Sequence, residues 1–258
     1  MRLMKRILSA AAVLALSASL LVGCSSGTAS SVPVSASSAA GSTVSSVEET
    51  ASSAADENEA AAAQLLNDLT GSYQELWPVI LADEYKQTWL DDCTALVGED
   101  NAEAAFEKLS SMVTGDVYGE DAVKAYANGG GAYFCGFTNS LAILTFDGET
   151  STISGTDKDG NVLFSHTYHY IGMEPVRGLY EFESDDADSG EFTYFFLAPD
   201  TSAETYHIEF RYGSDAEALS QYDAGEYAYW LASGISTDCD QTMIDNGIEL
   251  FCTENLAG

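Results

Sequence analysis

The chain reads as an α+β domain in which helices flank an antiparallel β-barrel. Three observations predict this. From Ala132 onward apolar residues recur with period two in a series of short runs. Asp147-Gly148, Asp159-Gly160 and further Gly-, Pro- and Asp-containing breaks separate those runs, as tight turns require. Before and after the runs the period becomes that of amphipathic helices. Many short strands in succession point to a closed barrel.

Arg2, Lys5 and Arg6 precede an apolar run, Ile7 to Val22, of signal-peptide length. It ends in Leu21-Val22-Gly23-Cys24, which resembles a bacterial lipobox. The small Gly23 admits a peptidase, and the Cys24 thiol then carries a lipid. Residues 1–23 are therefore expected to be a lipoprotein signal peptide. Cys24 would anchor an exported chain to the extracytoplasmic face of the cell membrane. A transmembrane helix is the rival reading, but the run is short and no charged stop-transfer patch follows. Residues 24–55 are dominated by Ser, Ala, Thr, Gly and Val, with one Pro and no aromatic. Such a segment buries too little apolar surface to offset its ordering entropy, so it is expected to be a flexible tether. Residues 56–258 suit one domain with a sizeable core.

Within that domain, residues 56–128 read as helical. Glu57 to Leu69 is Ala- and Leu-rich with acidic residues at its start, and Gly71 stops it. The stretch from Ser72 to Leu81 has Leu76, Ile80 and Leu81 at helical spacing, with Pro78 tolerable in a first turn. Asn101 to Val113 is predicted as a helix capped by Asn101, and Gly119 to Ala127 as a shorter one. Asn128-Gly129-Gly130-Gly131 is a hinge into the barrel, residues 132–212. Its strands are expected at Ala132–Phe137, Ser140–Phe146, Thr150–Thr156 and Val162–Ile171, followed by runs ending at Tyr212. Residues 215–258 form a C-terminal helical segment. Within it, Ala216–Tyr222 and Gln241–Leu250 are helices, the second with Met243, Ile244 and Ile248 inward.

The leader contains three of the nine Lys and Arg, leaving six against 41 Asp and Glu and a formal charge of −35 on the mature chain. So acidic a surface repels nucleic acid and anionic headgroups, and it attracts cations weakly. Beyond Cys24 four cysteines remain, enough for two disulfides in any of three connectivities. Cys239 and Cys252, closing a short C-terminal loop, are the first pair expected.

All three histidines lie between Asn161 and Asp215. On a strand, residues i and i+2 share a face, so His166 and His169 point to opposite sides. His207 shares its face with Glu209 and Arg211, and a His beside a Glu can bind zinc through nitrogen and oxygen. The same face also reads as a polar exterior with Glu209 and Arg211 paired. Thr156–Asn161 and Asp185–Gly190 superficially look like calcium loops but lack the liganding spacing, and are expected to be turns. No Gly-x-Ser-x-Gly, no protease-like Cys setting and no phosphate-binding Gly loop is present, so an enzyme is not expected.

The order of segments resembles the ZinT/YodA family of exported zinc-binding proteins with a lipocalin-like (calycin) barrel. The residues that carry the resemblance are Leu69–Leu81, Val123–Gly131, Tyr168–Gly172, Arg177–Phe182, Ala198-Pro199, and His207-Ile208 followed by Gly213-Ser214-Asp215. The resemblance implies zinc as the cofactor, for storage or hand-over to a metal transporter component. The family's metal motif is similar to His-x-x-Ala-Pro followed by His-Phe-His-Ile. Here Phe195 stands at its first His, Thr205 at its second, and only His207 is retained. His207 is then the best single ligand, with Glu209 and His166 or His169 as the candidates to complete a site. The alternative is a barrel that has lost zinc and binds a small apolar ligand or a protein.

Overall fold

Strand β4 (Val162–Met173) shows in miniature why the barrel forms. Phe164 and Tyr168 are buried, while Ser165, Thr167 and His169, which alternate with them, are exposed. One apolar face of period two has to be covered, and closing the sheet on itself covers it. The computed structural model describes residues 45–257, with side chains from residue 57. The leader, Cys24 and the tether up to residue 44 lie outside the described residues.

Eight strands form a closed barrel. In chain order they are β1 (Gly71–Glu75), β2 (Ile143–Asp147), β3 (Thr152–Thr156), β4, β5 (Tyr180–Ser184), β6 (Tyr194–Leu197), β7 (Ile208–Gly213) and β8 (Ala232–Ser236). Each pairs antiparallel with the next, and β1 closes on β8 through Tyr73 opposite Ser236 and Glu75 opposite Gly234. This is an up-and-down, calycin-like barrel, which leaves no open sheet edge. Its interior is filled by rings. Phe146, Phe182, Phe195, Phe210 and Tyr212 are each at most 1 % exposed.

Among the described residues eight α-helices accompany it: α1 (Ser45–Asp68), α2 (Leu76–Ile80), α3 (Lys86–Val97), α4 (Glu99–Ser111), α5 (Glu120–Ala127), α6 (Ser202–Thr205), α7 (Ala216–Leu219) and α8 (Gln241–Leu256). Leu65, Leu66 and Leu69, around the end of α1, pack into the barrel core. A second core joins α2, α3, α4 and α8 around Trp89, Leu109 and Ile248, against Ile235 of β8. Trp89 keeps its indole satisfied there by donating to the Ile80 carbonyl at 2.7 Å.

Several sequence expectations are corrected. Helix α1 begins at Ser45, so residues 45–55, expected to be tether, are helical; their Ala and Glu are good helix formers. Gly71–Glu75 is a strand, not the start of the helix at Leu76. Residues 132–137 form no strand. Phe134 makes only isolated bridges to Thr114 and Trp230. The segment is pinned to the barrel by Phe137 N–H donating to the Glu75 carboxylate and Thr138 N–H donating to the Tyr212 hydroxyl, both at 2.6 Å. The barrel thus spans residues 71–236 and includes β8 inside the expected C-terminal helical segment. Asn101 lies inside α4 and donates to the Val97 carbonyl at 3.0 Å, while Gly98 occupies the cap position.

Arg211 organises the connection from β7 to β8. It is fully buried and donates to the carbonyls of Leu219, Gln221 and Tyr227. Its guanidinium lies 4.4 Å from the Tyr222 ring, whose other neighbour is Arg177 at 4.3 Å. The pairing of Arg211 with Glu209 that spacing allowed is not made among the described residues; the outer face at Arg211 is covered by chain.

Candidate functional site

The period-two reading of the histidines holds in the fold. His166 lies on the inward face with Phe164 and Tyr168, its side chain 16 % exposed, while His169 points outward and is 53 % exposed. Each is held by the turn after β5. His166 Nδ1 donates to Asp186 at 2.8 Å, and His169 Nδ1 to Asp185 at 2.7 Å. The acidic turn at Asp185–Gly190 is therefore a clamp on the two histidines. Asp157, in the other acidic turn, accepts the backbone N–H groups of Asp159 at 2.9 Å and Asn161 at 2.8 Å. The Asn161 side-chain amide, donating to the same carboxylate at 2.8 Å, is the largest influence and with those backbone bonds holds the carboxyl below the usual range.

His207 precedes β7 and directs Nδ1 at the Thr205 carbonyl, 2.7 Å away. A carbonyl only accepts, so Nδ1 is the donor in this bond. Glu209 follows on the outer face of β7 and is half-buried. Residues that no sequence pattern joined to His207 come from afar. Glu254, in the last turn of α8, has its carboxyl pKa raised by burial, an effect His207 opposes and Glu209 and Asp200 reinforce. Asp185 and Asp186 are thus hydrogen-bond partners that sequence reasoning missed, and Glu254 is a carboxylate near His207 that it did not bring forward. For the first two the signal was an acidic turn directly after β4's neighbouring strand; for Glu254 there was none.

The residues do not fit a zinc ion of the implied kind. Among the described residues no group of three or more His, Cys, Asp or Glu side chains is arranged to hold a metal. A structural zinc needs four ligands and a catalytic one three. The first implied ligand position is occupied by packing. Phe195 is fully buried, with ring centroids of Tyr212 at 5.3 Å, Tyr168 at 5.4 Å and Phe164 at 5.9 Å. At the second, the Thr205 hydroxyl closes its own turn, donating to the carbonyls of Thr201 and His207.

Open space lies elsewhere, on either side of the junction between β1 and α2. One cleft of about 480 Å³ is lined by Val79, Leu141, Ile143 and Lys158, and another of about 350 Å³ by Leu81, Val113, Phe134 and Cys135. Glu75 and Pro78 line both. At Gly136 a Cβ would stand 2.9 Å from both the Glu75 carboxylate and the Phe134 ring, so any side chain there would press on both. Burial pushes the Cys135 thiol up to about 12, with Glu209 adding to the shift, so at neutral pH it is an inert wall.

No protein-family model and no curated protein matches the chain. Two similar solved structures are the Zn(II)-bound ZinT-like domain of Streptococcus pneumoniae AdcA and Zn(II)-bound AdcA from Streptococcus pneumoniae. The first is 16 % identical over 71 % of this chain and 89 % of that one, with a TM-score of 0.45. The second is 15 % identical over 71 % of this chain and 35 % of that one, with a TM-score of 0.43. Overlap this loose carries no functional argument, so what the protein does has to be read from its own residues.

Proposed function

We propose that the protein is an exported, lipid-anchored binding module, tethered through Cys24, that does not carry a three-ligand zinc site. The observation behind this reading is Phe195, stacked on Tyr212 and Phe164 and edge-to-face with Tyr168 where the resemblance implies a ligand. The barrel interior is given over to packing, so the ligand is held outside it, at the clefts that share Glu75. Volumes of about 350 and 480 Å³ suit a small organic molecule. Mixed walls, in which Val79, Leu141 and Ile143 face Glu75, Asp157 and Lys158 in the first cleft and Leu81, Val113 and Phe134 face Glu75 and Asp116 in the second, suit a body of hydrocarbon or aromatic character bearing a cationic or hydrogen-bond-donating group. No catalytic group is assigned.

The test is a thermal-shift screen of small aromatic and alkyl amines against the wild type and Val79→Trp, which fills the first cleft. Amines that raise Tm in the wild type and not in the variant are expected. If no amine shifts either protein, the cleft assignment is wrong.

One observation favours a second reading, in which a divalent metal is stored or handed to a transporter component. All three histidines use Nδ1 for an oxygen and make no hydrogen bond through Nε2 among the described residues, an arrangement that suits metal-binding imidazoles. The ligands would be His207 and Glu209, with His166 or His169 completing the set. Zinc titration separates the two readings.

A further inference from the structure

Cys93 of α3 and Cys252 of α8 are both fully buried, and their Sγ atoms lie 3.9 Å apart. A disulfide needs about 2.05 Å, so each sulfur has to move by roughly 1 Å, within the reach of side-chain rotation. The residues are 159 apart in sequence and meet because α3 and α8 pack together in the second core. The pair suggested by spacing, Cys239 with Cys252, is excluded by the helix between them. Cys252 lies eleven residues after Gln241, the first residue of α8. At 1.5 Å per residue that is about 16 Å along the axis, against a Cα separation below about 7 Å in a disulfide. Cys135 is occupied elsewhere, beside Trp77 and Ser233.

We propose that Cys93 and Cys252 form an intramolecular disulfide in the exported protein, made by exchange with a disulfide-bearing oxidant. One Sγ–Sγ bond forms, both thiol protons leave, and the electron pair reduces the oxidant's disulfide to two thiols. The bond ties the last helix to α3 and so secures β8, the closing strand that precedes it. Burial holds both thiols above their ordinary pKa, which makes exchange slow once α8 is docked. The bridge is therefore made during folding.

The proposed export decides only whether an oxidant is met in the cell, so the test is set up in vitro, independent of location. The mature chain with Cys24→Ser is refolded from denaturant in oxidised and reduced glutathione, alkylated while denatured, and digested without reductant. Two of the four cysteines should escape alkylation and appear as one linked peptide joining Cys93 to Cys252. Reduction should lower Tm by about 10–20 °C, from a loop this long in a domain this size. Cys93→Ala and Cys252→Ala should each remove the linked peptide. Four alkylated thiols, or Cys252 linked to Cys239, would overturn the proposal, and the wild-type peptide map decides even where a variant does not fold.

Discussion

Phe195→His puts an imidazole where the zinc-binding resemblance implies one, and it should destabilise the barrel without creating a metal site. Phe195 is fully buried against the rings of Tyr212, Tyr168 and Phe164. Truncating a buried Phe to Ala costs about 3–5 kcal/mol. Histidine keeps part of the ring, so the packing loss is roughly half of that. An imidazole N–H without a partner adds about 1–3 kcal/mol. The total is about 3–5 kcal/mol, which at about 2–4 °C per kcal/mol for a domain of this size is a fall in Tm of about 6–20 °C. Calorimetry with and without Zn²⁺ measures it. Adding Thr205→His completes the three implied imidazoles and should still give no zinc-dependent rise in Tm, because the first of them is buried among rings. A variant that melts within about 1 kcal/mol of the wild type, and gains one tight zinc site, would refute the reasoning.

Two further outcomes are expected. Arg211→Lys keeps the charge but reaches fewer of the Leu219, Gln221 and Tyr227 carbonyls, so it should cost about 2–4 kcal/mol from unpaired buried groups. Limited proteolysis should then cut within residues 214–231, and a variant as resistant as the wild type would contradict that role. The second outcome concerns pH. Burial raises the carboxyl pKa of Asp92, with Glu249, Asp245 and Asp91 adding to it, and burial likewise raises Glu181 and Glu254. A group whose folded pKa exceeds its unfolded value stabilises fully below the unfolded pKa, and that stability is lost as pH rises through the folded pKa. Asp157 has the opposite sign but is a single exposed turn residue. Tm at low salt should therefore be higher at about pH 5 than at about pH 7.5, the more so as net repulsion falls. Asp92→Asn should reduce the difference, and a Tm that falls steadily on acidification would sink the idea.

How much of this was legible varies with how local the physics is. The face alternation of β4 is a property of adjacent residues, so the opposed directions of His166 and His169 could be read directly. Helix α8 was visible for the same reason, through Ile244 and Ile248 one turn apart. The two strands that close the barrel were not visible. In β8 the run Ala-Ser-Gly-Ile-Ser has one large apolar residue. Gly234 is there because a Cβ would meet Ile208 Cγ1 at 3.1 Å and Tyr73 Cβ at 3.3 Å, a constraint set by strands far away in sequence. In β1 the pattern of Gly71–Glu75 runs without a break into α2, which hid the change of period. Arg211 read as an outer-face residue, and it is one; the chain that buries it comes from the next connection. The partners of the histidines and of Cys252 are set by tertiary packing, which spacing does not encode.

The most direct measurement is calorimetric titration of Zn²⁺ into the mature chain carrying Cys24→Ser, alongside His207→Ala. The expected result is weak, many-site uptake that salt abolishes and the substitution leaves unchanged, the signature of a chain with 41 acidic residues and no built site among the described residues. Tight binding of one zinc per chain, lost in His207→Ala, would contradict it and return zinc to the barrel.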